Sequence, residues 1–90
     1  MPKKIPIISL EDFETKAKKP LMMKTLVLNI ASGIKEDLES VNIAEIEHTD
    51  IILNVPKSEW KVGLEKAIEY YIEKEEYEQC SKIRDLINKL

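Results

Sequence analysis

The amino-acid sequence predicts a small α+β domain in which two short strands pack on a C-terminal helical hairpin. Residues 24–30 and 50–55 are apolar runs rich in β-branched side chains, which are typical of strands. From residue 58 to residue 90, apolar residues recur every three or four positions, as they do on one face of a helix. Since 90 residues can bury only one modest core, we expect residues 1–90 to form a single domain.

The N-terminal segment predicts an extended arm followed by a short helix. Residues 1–9 contain Pro2 and Pro6, which disfavour a helix. Ser9 and Asp12 have the spacing of a capping box, in which the serine side chain accepts a hydrogen bond from the backbone three residues later. We expect this helix to be short, because Pro20 disfavours helical backbone angles at the residue before it.

Residues 21–41 fit two different structures. The run at 24–30 ends at Ser32 and Gly33, a turn signal that favours a strand. The competing helix has Gly33 in its interior, at a cost of about 1 kcal/mol relative to alanine. The alternative fold class is all-α. After the run at 24–30, residues 35–40 predict one turn of helix, and Pro56 ends the second strand. The apolar stripe of the competing helix would consist of Met23, Val27, Ile30, Ile34, Leu38 and Val41.

Residues 58–90 predict two amphipathic helices, with Ser58 as the N-cap of the first. The charged residues 73–76 interrupt the apolar spacing, and we interpret them as a corner; one long helix is the alternative. Opposite charges four residues apart, such as Glu78 and Lys82, support the second helix. The two apolar stripes consist of Trp60, Leu64, Ala67, Ile68, Tyr71 and Ile72, and of Tyr77, Cys80, Ile83, Leu86, Ile87 and Leu90.

Residues 77–87 resemble the second half of the UVR motif of bacterial excision-repair proteins. Tyr77 and Glu78 stand at the aromatic and acidic positions of that motif. Its pair of small residues corresponds to Cys80 and Ser81, and its hydrophobic-Arg-Asp triplet corresponds to Ile83-Arg84-Asp85. Upstream, the aliphatic positions of the family's first helix correspond to Leu64 and Ile68.

The chain departs from the UVR pattern at Tyr71 and Ile72, where the family has small residues, and at Glu75, where it has an aliphatic residue. The resemblance covers residues 64–90. It implies a hairpin that binds another protein and has no active site.

The sequence holds little material for catalysis or for a metal site. His48 is the only histidine and Cys80 the only cysteine, and neither has a ligand or a base at a useful spacing. The segment 73–78, which is rich in glutamate, lacks the glycine and the alternating ligands of a calcium-binding loop. We therefore expect no enzymatic activity, no metal and no cofactor.

The expected function is binding to another protein, or self-association, through the hairpin. Tyr70 and Tyr71 are adjacent and point about 100° apart on a helix, so that one can face the core and the other a partner. The alternative is that both cover the core. We expect Tyr77, Cys80, Ile83 and Ile87 to pack inward. The predicted interface residues are Tyr70, Tyr77, Glu78, Arg84 and Asp85.

The alternative function is that of a small accessory protein associated with nucleic acid. The first 24 residues hold six lysines, but Glu11, Asp12 and Glu14 lie among them, and residues 25–56 are acidic. Mixed charge weakens the attraction to phosphates, so nucleic acid is the less favoured partner. The lone cysteine and the absence of a long apolar segment favour a cytoplasmic protein without a membrane partner. Frequent Ile, Lys, Glu and Asn residues are typical of an AT-rich genome, such as that of a phage or a small bacterium.

Overall fold

A computed structural model describes residues 5–90, which form a three-stranded sheet and four α-helices. Residues 1–4 of the predicted arm lie outside the described residues. A single 3₁₀ turn, Lys57–Glu59, joins the sheet to the C-terminal helices. The α+β class and the C-terminal hairpin are confirmed, and the all-α alternative is wrong. The elements are β1 (Ile7–Ile8), α1 (Leu10–Thr15), α2 (Lys19–Glu36), β2 (Ser40–Ile46), β3 (Ile52–Pro56), α3 (Trp60–Glu73) and α4 (Tyr77–Asn88).

Strand β2 is the centre of the sheet, with β1 parallel to it on one side and β3 antiparallel on the other. Its pairing with β3 shifts by one residue at Ile43, where β2 has a bulge. Because β1 has only two residues, part of its side of β2 has no strand partner within residues 5–90. The buried side chain of Asn29 on α2 occupies part of that side, and its Nδ2 donates a hydrogen bond of 2.6 Å to the carbonyl oxygen of Asn42.

The strand predicted at residues 24–30 is wrong, and the competing helix is the correct alternative, because this segment belongs to α2. Its buried residues, Thr25, Leu26, Asn29, Ile30 and Gly33, recur at helical spacing and face β2 and α3. A strand would have alternated them between two faces, whereas the helix gathers them on one. The β-branched composition of the run was therefore overridden by packing.

The boundaries around α2 also differ from the sequence-based expectations. Pro20 lies in the first turn of α2, where a missing backbone N–H costs nothing, so it begins one helix rather than only ending another. The helical turn predicted at 35–40 is wrong: α2 ends at Glu36, Asp37 takes a left-handed backbone angle (φ 56°), and β2 begins at Ser40.

Two predicted helix caps had opposite outcomes. The Ser9 cap is confirmed, since the backbone N–H of Asp12 donates to Ser9 Oγ over 3.0 Å. The Ser58 cap is wrong, because Ser58 lies inside the 3₁₀ turn and α3 begins two residues later, at Trp60. The predicted strand at 50–55 is present as β3, displaced toward Pro56.

Trp60 lies at the point where the sheet and the helices meet. It has no exposed surface, and its indole Nε1 donates a hydrogen bond of 2.9 Å to the carbonyl oxygen of Val55 on β3. The ring also approaches α2 at Gly33, where a Cβ atom would lie 2.7 Å from Cη2 of Trp60 and 2.9 Å from Cγ1 of Val41. Gly33 is thus a site of close packing inside a helix, and not a turn. The main core consists of Leu26, Ile30, Val41, Trp60, Leu64, Ala67, Tyr70, Tyr71, Cys80 and Ile83.

We predict that Gly33→Ala destabilises the protein although alanine is the better helix former. Overpacking of a core costs about 1–3 kcal/mol, which exceeds the gain of about 1 kcal/mol in helix propensity. The matched control is Gly63→Ala in α3, because a Cβ atom there would meet Leu26 at an ordinary 3.6 Å. Urea unfolding followed by circular dichroism should show a lower midpoint for Gly33→Ala and an unchanged or higher one for Gly63→Ala. Equal stabilisation by both would contradict the close packing.

Candidate functional site

The C-terminal hairpin consists of α3 and α4, joined by the acidic corner that the sequence predicted. Glu75 takes a left-handed backbone angle (φ 59°) at this corner. The chain reverses there because the N–H groups of Glu75 and Glu76 donate to the carbonyl oxygens of Ile72 and Tyr71, over 3.0 and 2.9 Å. Two helices, rather than one long helix, follow from this corner.

Cys80 and Ile83 fix which side of α4 faces inward, since both are fully buried against the rest of the core. The Sγ atom of Cys80 also lies 3.6 Å from the carbonyl oxygen of Ile68 on α3. The predicted inward packing of Cys80 and Ile83 is therefore confirmed, and Ile87 is half-buried. Cys80 serves here as a small core residue.

Four of the five predicted interface residues lie on α4 outside its buried side. At about 100° per residue, these residues span an arc of about 120°, in which Arg84 and Tyr77 adjoin the buried side while Glu78 and Asp85 face away from it. All four side chains are exposed. In the described part of the chain, neither Arg84 nor Asp85 forms an ion pair with another residue. We call these four residues the α4 stripe.

Tyr77 is 61% exposed, and the expectation that it packs inward is wrong. It is the first residue of α4 and lies about 120° around the helix from Ile83, at the margin of the inward side. A large aromatic side chain is thus presented to solvent next to the hairpin corner. Ile72, at the end of α3, is exposed close to the same corner in sequence.

Tyr70 is not part of this stripe. Both Tyr70 and Tyr71 are only 8% exposed, so the alternative in which both cover the core is the correct one. Although they point in different directions, α3 contacts α2 as well as α4, and both directions are therefore covered. The two rings meet edge to face with centroids 5.1 Å apart, and Lys19 and Lys74 place their Nζ atoms 5.5 and 5.7 Å from the Tyr70 ring centroid.

A groove that the sequence analysis missed runs between α2 and the hairpin, with a volume of about 640 Å³. Its apolar lining includes Val27, Leu28, Tyr71 and Leu86, and Lys82 of α4 adjoins it. Lys82 lies four residues after Glu78 and three residues before Asp85, so the three side chains are neighbours on the surface of α4. The groove therefore borders the α4 stripe. If residues 21–41 are treated as a helix, Leu28 falls outside its apolar stripe. A large apolar residue at an exposed helical position is the sequence signal that could have indicated this groove.

Burial raises the pKa of the Tyr71 hydroxyl above its ordinary value, and the nearby Tyr70 and Glu76 raise it further. All three effects disfavour the phenolate, because a negative charge is poorly solvated there and is repelled by other anions. The hydroxyl is therefore neutral at physiological pH and is suited to hydrogen bonding rather than to proton transfer.

The side chains that can bind a metal ion are not clustered in the described part of the chain. Within residues 5–90, no group of three or more His, Cys, Asp or Glu side chains is arranged to hold a metal ion. No helix in that range is long and apolar enough to span a membrane.

No protein-family model matches the chain, and comparisons with curated proteins and with solved structures find no significant similarity. The UVR resemblance of residues 64–90 therefore stays a prediction.

The raised pKa of Tyr71 leads to a pH-dependent prediction. The folded state holds the phenolic proton of Tyr71 more tightly than the unfolded state does. The contribution of Tyr71 to the free energy of unfolding is therefore fully present below about pH 10, the ordinary tyrosine pKa, and is lost as the pH rises above it. Thermal melts at about pH 9 and 11 should show a smaller loss of stability for Tyr71→Phe than for the wild type. Tyr77→Phe, which alters an exposed tyrosine, is the control and should behave as the wild type. Identical alkaline behaviour of all three proteins would contradict the raised pKa.

Proposed function

We propose that this chain is a small, non-enzymatic regulatory protein of the cytoplasm that binds another protein through its C-terminal hairpin. The observation that carries the proposal is the α4 stripe, where a 61% exposed tyrosine lies on the same side of a helix as Glu78, Arg84 and Asp85. Tyrosine and arginine are enriched among the residues that dominate binding energy at protein interfaces. The UVR resemblance supports the same surface independently, since its aromatic, acidic and Arg-Asp positions correspond to these four residues.

The stripe has the physical features of a recognition surface rather than of a stability element. Arg84 and Asp85 form no ion pair within residues 5–90 and can pair with charges on a partner. Charged pairs of this kind contribute more to specificity and association rate than to folding. The buried side of α4 holds Cys80 and Ile83 in the core, which keeps the exposed side in a fixed orientation. A fixed surface loses less entropy on binding.

The groove between α2 and the hairpin extends this surface. Its apolar lining and its polar margin match the usual anatomy of an interface, in which an apolar centre is surrounded by polar groups. A partner seated on the α4 stripe can reach the groove past Lys82. We therefore expect Leu28 of α2 to belong to the same interface as Tyr77.

Nucleic acid is not part of the proposal. Another large groove lies between α1, α2 and α3. Its lining contains equal numbers of lysines and glutamates, which weakens the attraction to phosphates. These charged residues are Lys16, Lys19, Lys66, Glu14, Glu69 and Glu73.

We predict that Ile83→Ala and Arg84→Ala separate folding from binding. Truncating the fully buried Ile83 should cost about 2–5 kcal/mol, enough to unfold much of a small domain. Arg84→Ala should change the stability by less than about 0.5 kcal/mol, because its side chain is exposed. Circular dichroism melts measure both effects. If Arg84→Ala unfolds the protein as Ile83→Ala does, Arg84 is a structural residue and the α4 stripe is not the interface.

The binding role is tested with the tagged full chain as bait in native lysate and quantitative mass spectrometry of the captured proteins. We expect Tyr77→Ala and Arg84→Ala to lose partners that the wild type retains. Lys35→Ala, which removes an exposed basic side chain from the last turn of α2, is the matched control and should retain them. Capture that is unchanged by both stripe variants would contradict the proposal.

A further inference from the structure

Strand β3 presents an open edge. In the described part of the chain, β3 pairs only with β2. At its two ends, the carbonyl oxygen of Ile51 accepts a hydrogen bond from Ile46, and the N–H of Lys57 donates to Glu39. Because backbone direction alternates along an antiparallel strand, Ile52 and Asn54 must point their N–H and C=O groups away from β2. Pro56, next in the alternation, has only a carbonyl group to offer.

The two edges of the sheet differ in how they are protected. On the β1 side, the strand is only two residues long and the side chain of Asn29 satisfies the carbonyl oxygen of Asn42. Short edge strands and covering side chains are common ways to prevent edge-to-edge pairing. The β3 edge has no lysine between Ile52 and Pro56, and Ile51 and Ile52 are 55% and 46% exposed. This edge is suited to pairing with another strand.

The sequence of β3 is complementary to itself. If two copies pair antiparallel about a two-fold axis at Leu53, Ile52 of each copy lies opposite Asn54 of the other. This register uses all four outward N–H groups, two from each copy, and places Pro56 at the end of the pairing where its missing N–H does no harm. A two-fold axis also requires a surface that matches itself, and this register provides one.

The side chains on the inner side of this pairing are all apolar. Ile51 of one copy lies opposite Val55 of the other, and the two Leu53 side chains meet at the axis. Ile51 shares its side of the sheet with the buried Ile46, to which it is hydrogen-bonded, yet it is largely exposed in a single chain. Cross-strand pairs of aliphatic residues are a main source of sheet stability, so pairing would cover the residue that the monomer leaves open.

Charge at the ends of the paired strands is complementary as well. Asp50 precedes β3 and Lys57 follows it, so the antiparallel arrangement brings Asp50 of one copy beside the segment that carries Lys57 of the other. The side chain of Lys57 is itself half exposed, and its Nζ atom lies 3.6 Å from the carboxylate of the exposed Asp37. Such a surface pair is weak and leaves the lysine available. The two-fold axis produces two of these Asp-Lys contacts.

From these observations we propose that the occupant of the β3 edge is a second copy of this chain, and that two three-stranded sheets join into one continuous six-stranded sheet. This surface is separate from the α4 stripe, so the proposal goes beyond the function proposed above. Each copy of such a dimer still presents its own hairpin. Self-association therefore doubles the number of hairpins available to a partner.

Sedimentation velocity on the full chain tests this proposal. The wild type should show a concentration-dependent shift from the mass of one chain to that of two. Asn54→Pro removes an outward N–H that β2 does not use, and it should weaken the dimer about tenfold or more, since two hydrogen bonds are lost across the axis. Asn54→Ala, which loses the same contacts to Ser40 and Asn42 but keeps the N–H, is the matched control and should dimerise.

Ile52→Lys provides a second disruption that does not depend on proline, because it places a charge on the edge without altering the backbone. It should also yield monomers, with an unchanged circular dichroism spectrum. Arg84→Ala should dimerise as the wild type does, which separates this proposal from the binding role of the α4 stripe. A wild type that stays monomeric up to roughly 1 mM would overturn the proposal, as would an Asn54→Pro or Ile52→Lys dimer of wild-type strength.

Charge reversal tests the register. Asp50→Lys and Lys57→Glu, each alone, place like charges together and should weaken their dimers several-fold. An equimolar mixture of these two variants restores both opposite-charge contacts and should form a heterodimer. A mixture that associates no better than either variant alone would overturn the arrangement.

Discussion

The indole of Trp60 connects the two halves of this protein, and the rest of the structure depends on the space around it. Its ring is buried between α2, β2 and the start of α3, and its only polar atom is bonded to the carbonyl oxygen of Val55. That space exists because Gly33 has no side chain. A tryptophan at the first residue of α3 therefore fixes the direction in which the C-terminal helices leave the sheet.

That direction determines which surfaces of the hairpin are free. With α3 held against α2, Tyr70 and Tyr71 are both covered, and α4 packs through Cys80 and Ile83. The part of the α4 surface that carries Tyr77 and Arg84 is left to solvent. An exposed aromatic residue beside exposed charges is typical of a binding surface, and here it is a consequence of how the core is packed.

The two edges of the sheet are covered to different degrees. Helices cover one side of the sheet, and the β1 side is protected by a short strand and by Asn29, whereas β3 ends the sheet without cover among the described residues. The hairpin and the β3 edge lie on different elements and use different chemistry. Side-chain recognition suits the first, and backbone pairing suits the second. The two proposed associations can therefore coexist.

The sequence alone determined several features that depend on local spacing: the Ser9 cap, the acidic corner, the inward residues Cys80 and Ile83, and the exposure of Arg84 and Asp85 on α4. It did not determine the structure of residues 21–41, because a β-branched apolar run fits a strand or a buried helix equally well by composition. Only packing decided this, since Asn29 and Gly33 have partners, Asn42 and Trp60, that are distant in sequence. The burial of Tyr70 was likewise decided by tertiary contacts, because α2 and α4 both cover α3, which no periodicity within α3 can reveal.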